Sequence, residues 1–268
     1  MSLRSRFLLL LVGLVLVPHL PLAGQAGLAP SVTPLYNAPS NLKARAVAEQ
    51  AVVALGGEAY LRARDRTGNG RIYAFDRQGE LDSAGTVFWT FSRFPDADRI
   101  ELTKQRDVIY IYNGEQGWQV TYRGVEPLKP KQIAEHSDLE QHSIDQVLRN
   151  WLRDPQTLML DKGISLVEQR QVEMVDFFNK QDQEVSIAFD LGSHLPVSET
   201  WKRRDPDGDG MTTVSLSFGN YQVVDGINTA FEVQRYEDGK RTQQRYYQAA
   251  SYTPLADSLF VAPVKPRP

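Results

Sequence analysis

The residues that most often carry chemistry are few in this 268-residue chain, which has four histidines and no cysteine. His136 and His142 are six residues apart, a spacing that does not place them on one helical face. Without cysteine there is no thiol nucleophile, thiolate ligand or disulfide. The chain also lacks a His-Glu-x-x-His run, a Gly-x-Ser-x-Gly elbow and glycine-rich phosphate loops. We therefore predict a protein that is not an enzyme and has no cofactor; a hydrolase that uses paired carboxylates has no motif to support it.

One acidic segment has the spacing of a metal loop. Asp205, Asp207 and Asp209 are followed by Gly210, which matches the first half of an EF-hand calcium loop. The twelfth position of that loop needs a bidentate glutamate, and Leu216 stands there. The segment therefore predicts an acidic hairpin loop without a metal, and the three aspartates are only a weak calcium candidate.

The N-terminal segment has the three parts of a secretory signal peptide. Arg4 and Arg6 precede an apolar run at 7–17, which is shorter than the ~20 residues of a spanning helix. Gly24-Gln25-Ala26 supplies a small-x-small cleavage site. We predict a cleaved signal peptide at 1–26, with an uncleaved anchor as the alternative, and a proline-containing tether at 27–39. Export without cysteine fits the bacterial periplasm.

The charge balance narrows the class of partner. The 30 basic and 33 acidic residues give a formal net charge of -3, which leaves no broad basic surface for nucleic acid. No second long apolar run follows the signal peptide. We expect a soluble monomer with no transmembrane segment in the mature chain.

The spacing of hydrophobic residues changes along the mature chain from a helical to an extended period. Ser40 is suited to cap a helix at 41–55, and Gly56-Gly57 is suited to end it. Alternating residues then predict strands, and Asn113-Gly114 predicts a hairpin turn. The predicted strands of this half are 71–76, 85–92, 98–104, 107–112 and a return strand through Trp118, Val120 and Tyr122.

A second helix is predicted in the middle of the chain, between a Ser143 cap and an Asp154-Pro155 stop. Its apolar residues recur at helical spacing and would pack on a sheet face. They are Ile144, Val147, Leu148, Trp151 and Leu152.

Short turns separate the strands predicted after that helix, which indicates an antiparallel meander. These strands are 166–172, 173–178, 185–190, 198–202, 212–221, 229–236 and 241–252. No βαβ alternation is present. The fold class is therefore mainly β (α+β), with one large curved antiparallel sheet and helices on its concave face.

Apolar and aromatic side chains occupy both faces of several predicted strands. A sheet curved around an apolar ligand would need such side chains, although an ordinary core would need them too. The tentative lining of a hydrophobic cavity is Val87, Trp89, Phe91, Ile109, Ile111, Trp118, Ile144, Val147, Leu148 and Trp151.

Several local patterns, taken in order, resemble the LolA/LolB-like superfamily of bacterial lipoprotein-sorting proteins. The resemblance implies an unclosed half-barrel over 40–263. Pro263, Pro266 and Pro268 separately predict a disordered tail at 264–268. It also implies helices that cover a hydrophobic cavity for lipoprotein acyl chains. The segments that carry it are 54–57, 110–118, 195–197, 221–227, 236–240 and 255–263.

Two functions follow from these observations. The first is a soluble periplasmic binding protein that holds lipoprotein acyl chains or lipid, with a role in sorting lipoproteins to the outer membrane. The alternative is a protein-interaction or envelope-sensing module, with a self-filled core, an envelope protein as its partner and no lipid cargo.

Overall fold

The computed structural model describes residues 39–76, 78–82, 84–205 and 210–263. Several sequence predictions lie outside these residues: the signal peptide at 1–26, the tail at 264–268, and Asp207 and Asp209 of the acidic loop. The predicted tether also lies outside them except for Pro39, its last residue, which begins the first helix. None of the described helices has the length and apolar character needed to cross a membrane.

Thirteen strands make up the fold, in two groups separated by helices. The first group is β1 (Asp65–Ala74), β2 (Thr86–Arg93), β3 (Ala97–Leu102), β4 (Val108–Asn113), β5 (Gln116–Thr121) and β6 (Gly124–Pro127). The second group is β7 (Leu158–Val167), β8 (Arg170–Phe178), β9 (Glu184–Asp190), β10 (Pro196–Arg204), β11 (Met211–Val224), β12 (Ile227–Glu237) and β13 (Lys240–Ser251).

The helices lie before and between these groups. Before β1 come α1 (Pro39–Leu55) and α2 (Glu58–Arg62). Between β6 and β7 come the lid helices, which are α3 (Pro130–Gln141) and α4 (Ile144–Arg149), and then a 3₁₀ turn at Trp151–Arg153. A second 3₁₀ turn at Asp257–Phe260 follows β13.

All thirteen strands belong to one antiparallel sheet with the order β6-β5-β4-β3-β2-β1-β13-β12-β11-β10-β9-β8-β7. The first and last strands meet in its middle, where Thr67 of β1 pairs with Ser251 of β13. Its edges, β6 and β7, have no pairing with each other in the described chain, so the sheet is not closed. The predicted fold class, a mainly β protein built as an unclosed half-barrel, is confirmed.

The main core fills the half of the sheet from β7 to β11. Small residues on one face of α1, including Ala44 and Ala48, are fully buried and let the helix lie close to β7 and β8. Trp201 and Phe177 belong to the same cluster, with 2% and 0% of their surfaces exposed. This half is therefore occupied by the chain's own side chains.

Three details of the sequence prediction are wrong. The first helix begins at Pro39, and the Ser40 hydroxyl accepts a hydrogen bond from the backbone of Asp161 instead of capping the helix. The middle helix ends at Arg149, after which the chain tightens into a 3₁₀ turn. The predicted strand 166–172 is split by a two-residue turn in which Glu168 and Gln169 have φ of 48° and 65°. Neither residue is typical of such a turn, so the pattern gave no signal.

The prediction also missed α3. The helix has no fully buried side chain, so it carries no apolar stripe. Its sequence signal is at the N-terminus, where Pro130 occupies a first-turn position and Gln132 caps the backbone of Lys129. Because α3 was not predicted, no sequence pattern indicated that His136 and Glu140 lie one turn apart on the same helix.

Candidate functional site

A cavity of about 270 Å³ lies between the lid helices and the half of the sheet that the main core leaves open. Its floor comes from β1, β2, β3 and the strands β10 to β13, and its roof from α3 and α4. This volume is close to the lower end of the ~300–1,000 Å³ typical of small-molecule sites.

The wall of this cavity is mixed in character. Its apolar members come from both the roof and the floor: Ile100, Leu139, Ile144, Leu216, Phe218 and Val233. Charged side chains lie among them. The arginines are Arg64, Arg66, Arg93, Arg149, Arg235 and Arg245, and the acidic residues are Asp65, Asp98, Glu140, Asp145 and Glu199. A wall of this kind suits a ligand with both apolar and polar parts.

Arg66 is the arginine whose position most needs a partner. Its guanidinium lies 5.0 Å from the ring centre of Tyr247, and its Nη2 atom is buried without a hydrogen bond in the described chain. Arg235 has a similar defect: Nη2 donates to Glu237 Oε1 at 2.6 Å, but the buried Nε has no acceptor. Buried donors left in this way cost free energy, and an anionic group in the cavity would remove that cost.

Two acids near the roof are held in an unfavourable environment for a negative charge. Burial raises the pKa of Glu199 well above its ordinary value, although the Ile144 backbone N–H offers a hydrogen bond that lowers it. Burial raises the pKa of Glu140 in the same direction, and the nearby charges of Asp98 and Asp145 add to that effect. Burial therefore disfavours the charged form of both carboxyl groups.

Arg149 fastens the second lid helix to the body of the protein. Its Nη1 donates to the backbone oxygen of Ala63, just before β1, and its Nε donates to Asp145 Oδ1 at 2.9 Å. The guanidinium also lies over two aromatic rings, 4.3 Å from the centre of Tyr60 and 5.1 Å from that of Phe94. These contacts hold the roof of the cavity against the sheet.

The ten residues predicted to line a hydrophobic cavity lie in four places. Among described residues, Ile144 is the member of the set that lines the 270 Å³ cavity. The neighbouring Val147, Leu148 and Trp151 lie in the main core. In a separate cluster, Trp118 packs on Ile109 and Ile111.

The remaining three belong to β2. Trp89 and Phe91 lie under the guanidinium of Arg106, at 5.1 and 5.7 Å from their ring centres, and Val87 is half-buried on the same strand. Thr90 and Ser92, at the alternate positions, line the cavity instead, together with Arg93 at the end of the strand. The assignment of the ten residues to a ligand stays a prediction.

Sequence reasoning missed the charged residues of the cavity, although part of their signal was present. Arg64 and Arg66 stand two residues apart at the start of β1, a spacing that places them on one face of a strand. Arg235 and Arg245 lie inside the predicted strands 229–236 and 241–252. No local pattern indicates that these strands are neighbours around one cavity.

No protein-family model matches the chain, and the search of curated proteins finds no match.

Three solved structures have the same fold. A Vibrio parahaemolyticus domain named for outer membrane lipoprotein sorting is 11% identical, with a TM-score of 0.53 over 82% of this chain and 97% of that one. A LolA superfamily protein from Nitrosomonas europaea is also 11% identical, with a TM-score of 0.53 over 81% and 97%. A DUF1329 family protein from Desulfovibrio piger is 15% identical, with a TM-score of 0.55 over 81% and 97%. The predicted resemblance to LolA-like proteins is thus confirmed at the level of the fold.

Proposed function

We propose that this chain is a periplasmic binding protein that holds an amphiphilic ligand, an acyl chain with an anionic head, between the lid helices and the sheet. One observation carries the proposal: in a cavity that also has apolar walls, the buried Nη2 atom of Arg66 has no hydrogen-bond partner among the described residues. We further propose that the protein acts by binding and not by catalysis, and that its cargo belongs to the lipids or lipoproteins of the bacterial envelope.

The arginines in the cavity wall favour a ligand with an anionic head group. A guanidinium forms two parallel hydrogen bonds with a carboxylate or a phosphate, which is the strongest pairing open to a buried arginine. Arg245 lies on β13 in the same wall, and its Nε donates to Gln243 Oε1 at 2.8 Å. An anion between Arg66 and Arg245 would therefore meet two positive charges.

The apolar residues in the cavity wall favour a ligand with a hydrocarbon chain. Leu139 and Ile144 lie on the roof, opposite Phe218 and Val233 on the floor. Each methylene buried between such surfaces contributes about 0.8 kcal/mol. Because the cavity is small, we propose that a longer chain enters as α3 and α4 move away from the sheet. Of the ten apolar residues predicted from the sequence, we propose that Ile144 and its lid-side neighbours Val147, Leu148 and Trp151 line that wider space.

The experiment compares palmitate with hexadecanol, which has the same chain and no charge. Parent protein should bind palmitate more tightly by about 10–100-fold, since a hydrogen bond to a charged group contributes about 1.5–3 kcal/mol. Arg66→Gln should remove most of that preference while hexadecanol binding stays unchanged. Arg71→Gln is the matched control, because Arg71 lies exposed on the same strand. Equal affinities for the two ligands in the parent protein would contradict the anionic head.

A protein-interaction module is the second candidate. It is favoured by the half of the sheet from β7 to β11, which the chain fills with its own side chains, including Trp201, Phe177 and Phe189. Native mass spectrometry of protein purified from a bacterial periplasm separates the two functions. Retained lipid supports the binding protein, whereas a lipid-free chain that also fails to bind palmitate supports the interaction module.

A further inference from the structure

Three side chains that commonly bind metal ions converge at the roof of the cavity. Asp98 comes from β3, and His136 and Glu140 come from α3. The two helical residues are four apart, so they lie one turn apart on the same face. One ligating atom from each of the three side chains lies within 4.8 Å of the others.

His136 Nε2 is buried and has no hydrogen bond in the described chain, although Asp98 Oδ2 lies 3.1 Å from it.

The surrounding structure holds these side chains in place. The ring of Tyr112 stacks on the His136 imidazole, with centroids 3.7 Å apart and planes 17° from parallel. Tyr112 is also the β4 partner of Asp98, so one strand pair sets both the carboxylate and the surface that orients the imidazole. Asp98 itself is 8% exposed.

The geometry and the donor set select the class of metal. Two ligands at about 2.0–2.1 Å from a tetrahedral ion are about 3.3 Å apart, close to the separation of Asp98 and His136. One imidazole nitrogen and two carboxylates suit Zn²⁺ and its transition-metal neighbours, whereas Ca²⁺ and Mg²⁺ prefer oxygen ligands throughout. His136 and Glu140 also line a neighbouring surface cleft, which gives an ion a way in.

We propose that Asp98, His136 and Glu140 form a binding site for Zn²⁺ or a similar divalent transition-metal ion, which ties the lid helix α3 to strand β3. Three protein ligands leave at least one coordination position open toward the cavity. The ion would fasten the roof of the cavity at α3, in addition to the Arg149 contacts at α4. The site stands on its own residues and does not depend on the proposed amphiphilic ligand.

The test is a titration of the untagged, metal-free chain with zinc chloride, measured by isothermal titration calorimetry, with Tm measured by scanning calorimetry. Glu140→Gln keeps the size of the side chain and removes the carboxylate ligand, so it should fold like the parent. His136→Phe keeps an aromatic ring against Tyr112 and removes the nitrogen ligand. The matched controls are Glu135→Gln on the same helix and His194→Asn in a turn with positive φ, which asparagine tolerates.

We expect one Zn²⁺ per chain in the parent, and a Tm that rises by about 5–10 °C at a hundredfold excess over Kd. Glu140→Gln and His136→Phe should each weaken binding at least about tenfold, since changes even to residues around a metal ligand have effects of that order. Both controls should bind like the parent. Absence of one-to-one binding in the parent, or an unchanged affinity in Glu140→Gln, would overturn the site whether or not palmitate binds.

Discussion

Removal of the Arg149 side chain should loosen the lid and destabilise the whole chain. Arg149 is 7% exposed, and its guanidinium joins α4 to the Ala63 carbonyl ahead of β1 and to the rings of Tyr60 and Phe94. Arg149→Ala would leave that carbonyl without its donor and would leave both rings without the cation above them. Asp145 adds little to the cost, because its side chain is 47% exposed and water can replace the lost ion pair.

The magnitude follows from the separate contacts. A hydrogen bond from a charged donor to a buried acceptor contributes about 1.5–3 kcal/mol. A partly desolvated cation over an aromatic ring contributes about 0.5–2 kcal/mol. Because these contacts share one side chain they do not simply add, and we expect the free energy of unfolding to fall by about 3 kcal/mol. For a chain of this size, that change lowers Tm by about 6–12 °C.

The assay is thermal and urea unfolding followed by circular dichroism. Arg149→Lys keeps the charge but not the planar fork, so it should fall between the parent and Arg149→Ala. Arg153→Ala, an exposed arginine in the adjacent 3₁₀ turn, is the control and should change the free energy of unfolding by less than about 0.5 kcal/mol. If Arg149→Ala lowers Tm by less than about 2 °C, the contacts described for Arg149 do not hold the lid.

Three further changes test other parts of the fold. Trp201→Ala should lower the free energy of unfolding by about 3–5 kcal/mol in urea, because it empties the centre of the main core; a loss below about 1 kcal/mol would contradict that burial. Gly70→Ala should prevent folding, since its Cβ would lie 1.9 Å from the Tyr246 backbone oxygen, whereas Gly210→Ala meets nothing within 4 Å and should fold normally. Glu199 has a raised pKa through burial, so the native state binds more protons than the unfolded state and stability falls as pH rises above the ordinary value of 4.5. Glu199→Gln should therefore raise Tm relative to the parent by more at pH ~7.5 than at pH ~4. An equal rise at the two pH values would refute the assignment.

Much of the architecture could be predicted from local patterns. The predicted hairpin lies between β4 and β5, but its two loop residues are Gly114 and Glu115, because Asn113 pairs with Gln116. Gly114 has a φ of 57°, which suits a glycine at the first loop position of a hairpin. Alternating residues in β2 to β5 predicted strands because side chains of a strand point to opposite faces in turn. The middle helix was found from its apolar spacing, and α3 was missed because it has none.

The face of a strand that meets a cavity could not be predicted in the same way. In β2 the apolar residues Trp89 and Phe91 suggested the inner face, yet Thr90 and Ser92 line the cavity. Alternation divides a strand into two faces but does not say which face the rest of the chain covers. That choice depends on the pairing of β1 with β13 and on the helices that cross between β6 and β7.

By itself the sequence determined the class of the fold, because strand alternation, turn residues and helical spacing are local properties that neighbouring residues express wherever they lie. The tertiary structure alone decided the site. Arg66 and Arg245 are far apart in the chain and share one wall, and Asp98 meets His136 only because α3 crosses back over β3. These contacts depend on which strands pair and which helix covers them. Burial then makes a charge without a partner costly. No local pattern of residue types predicts such contacts.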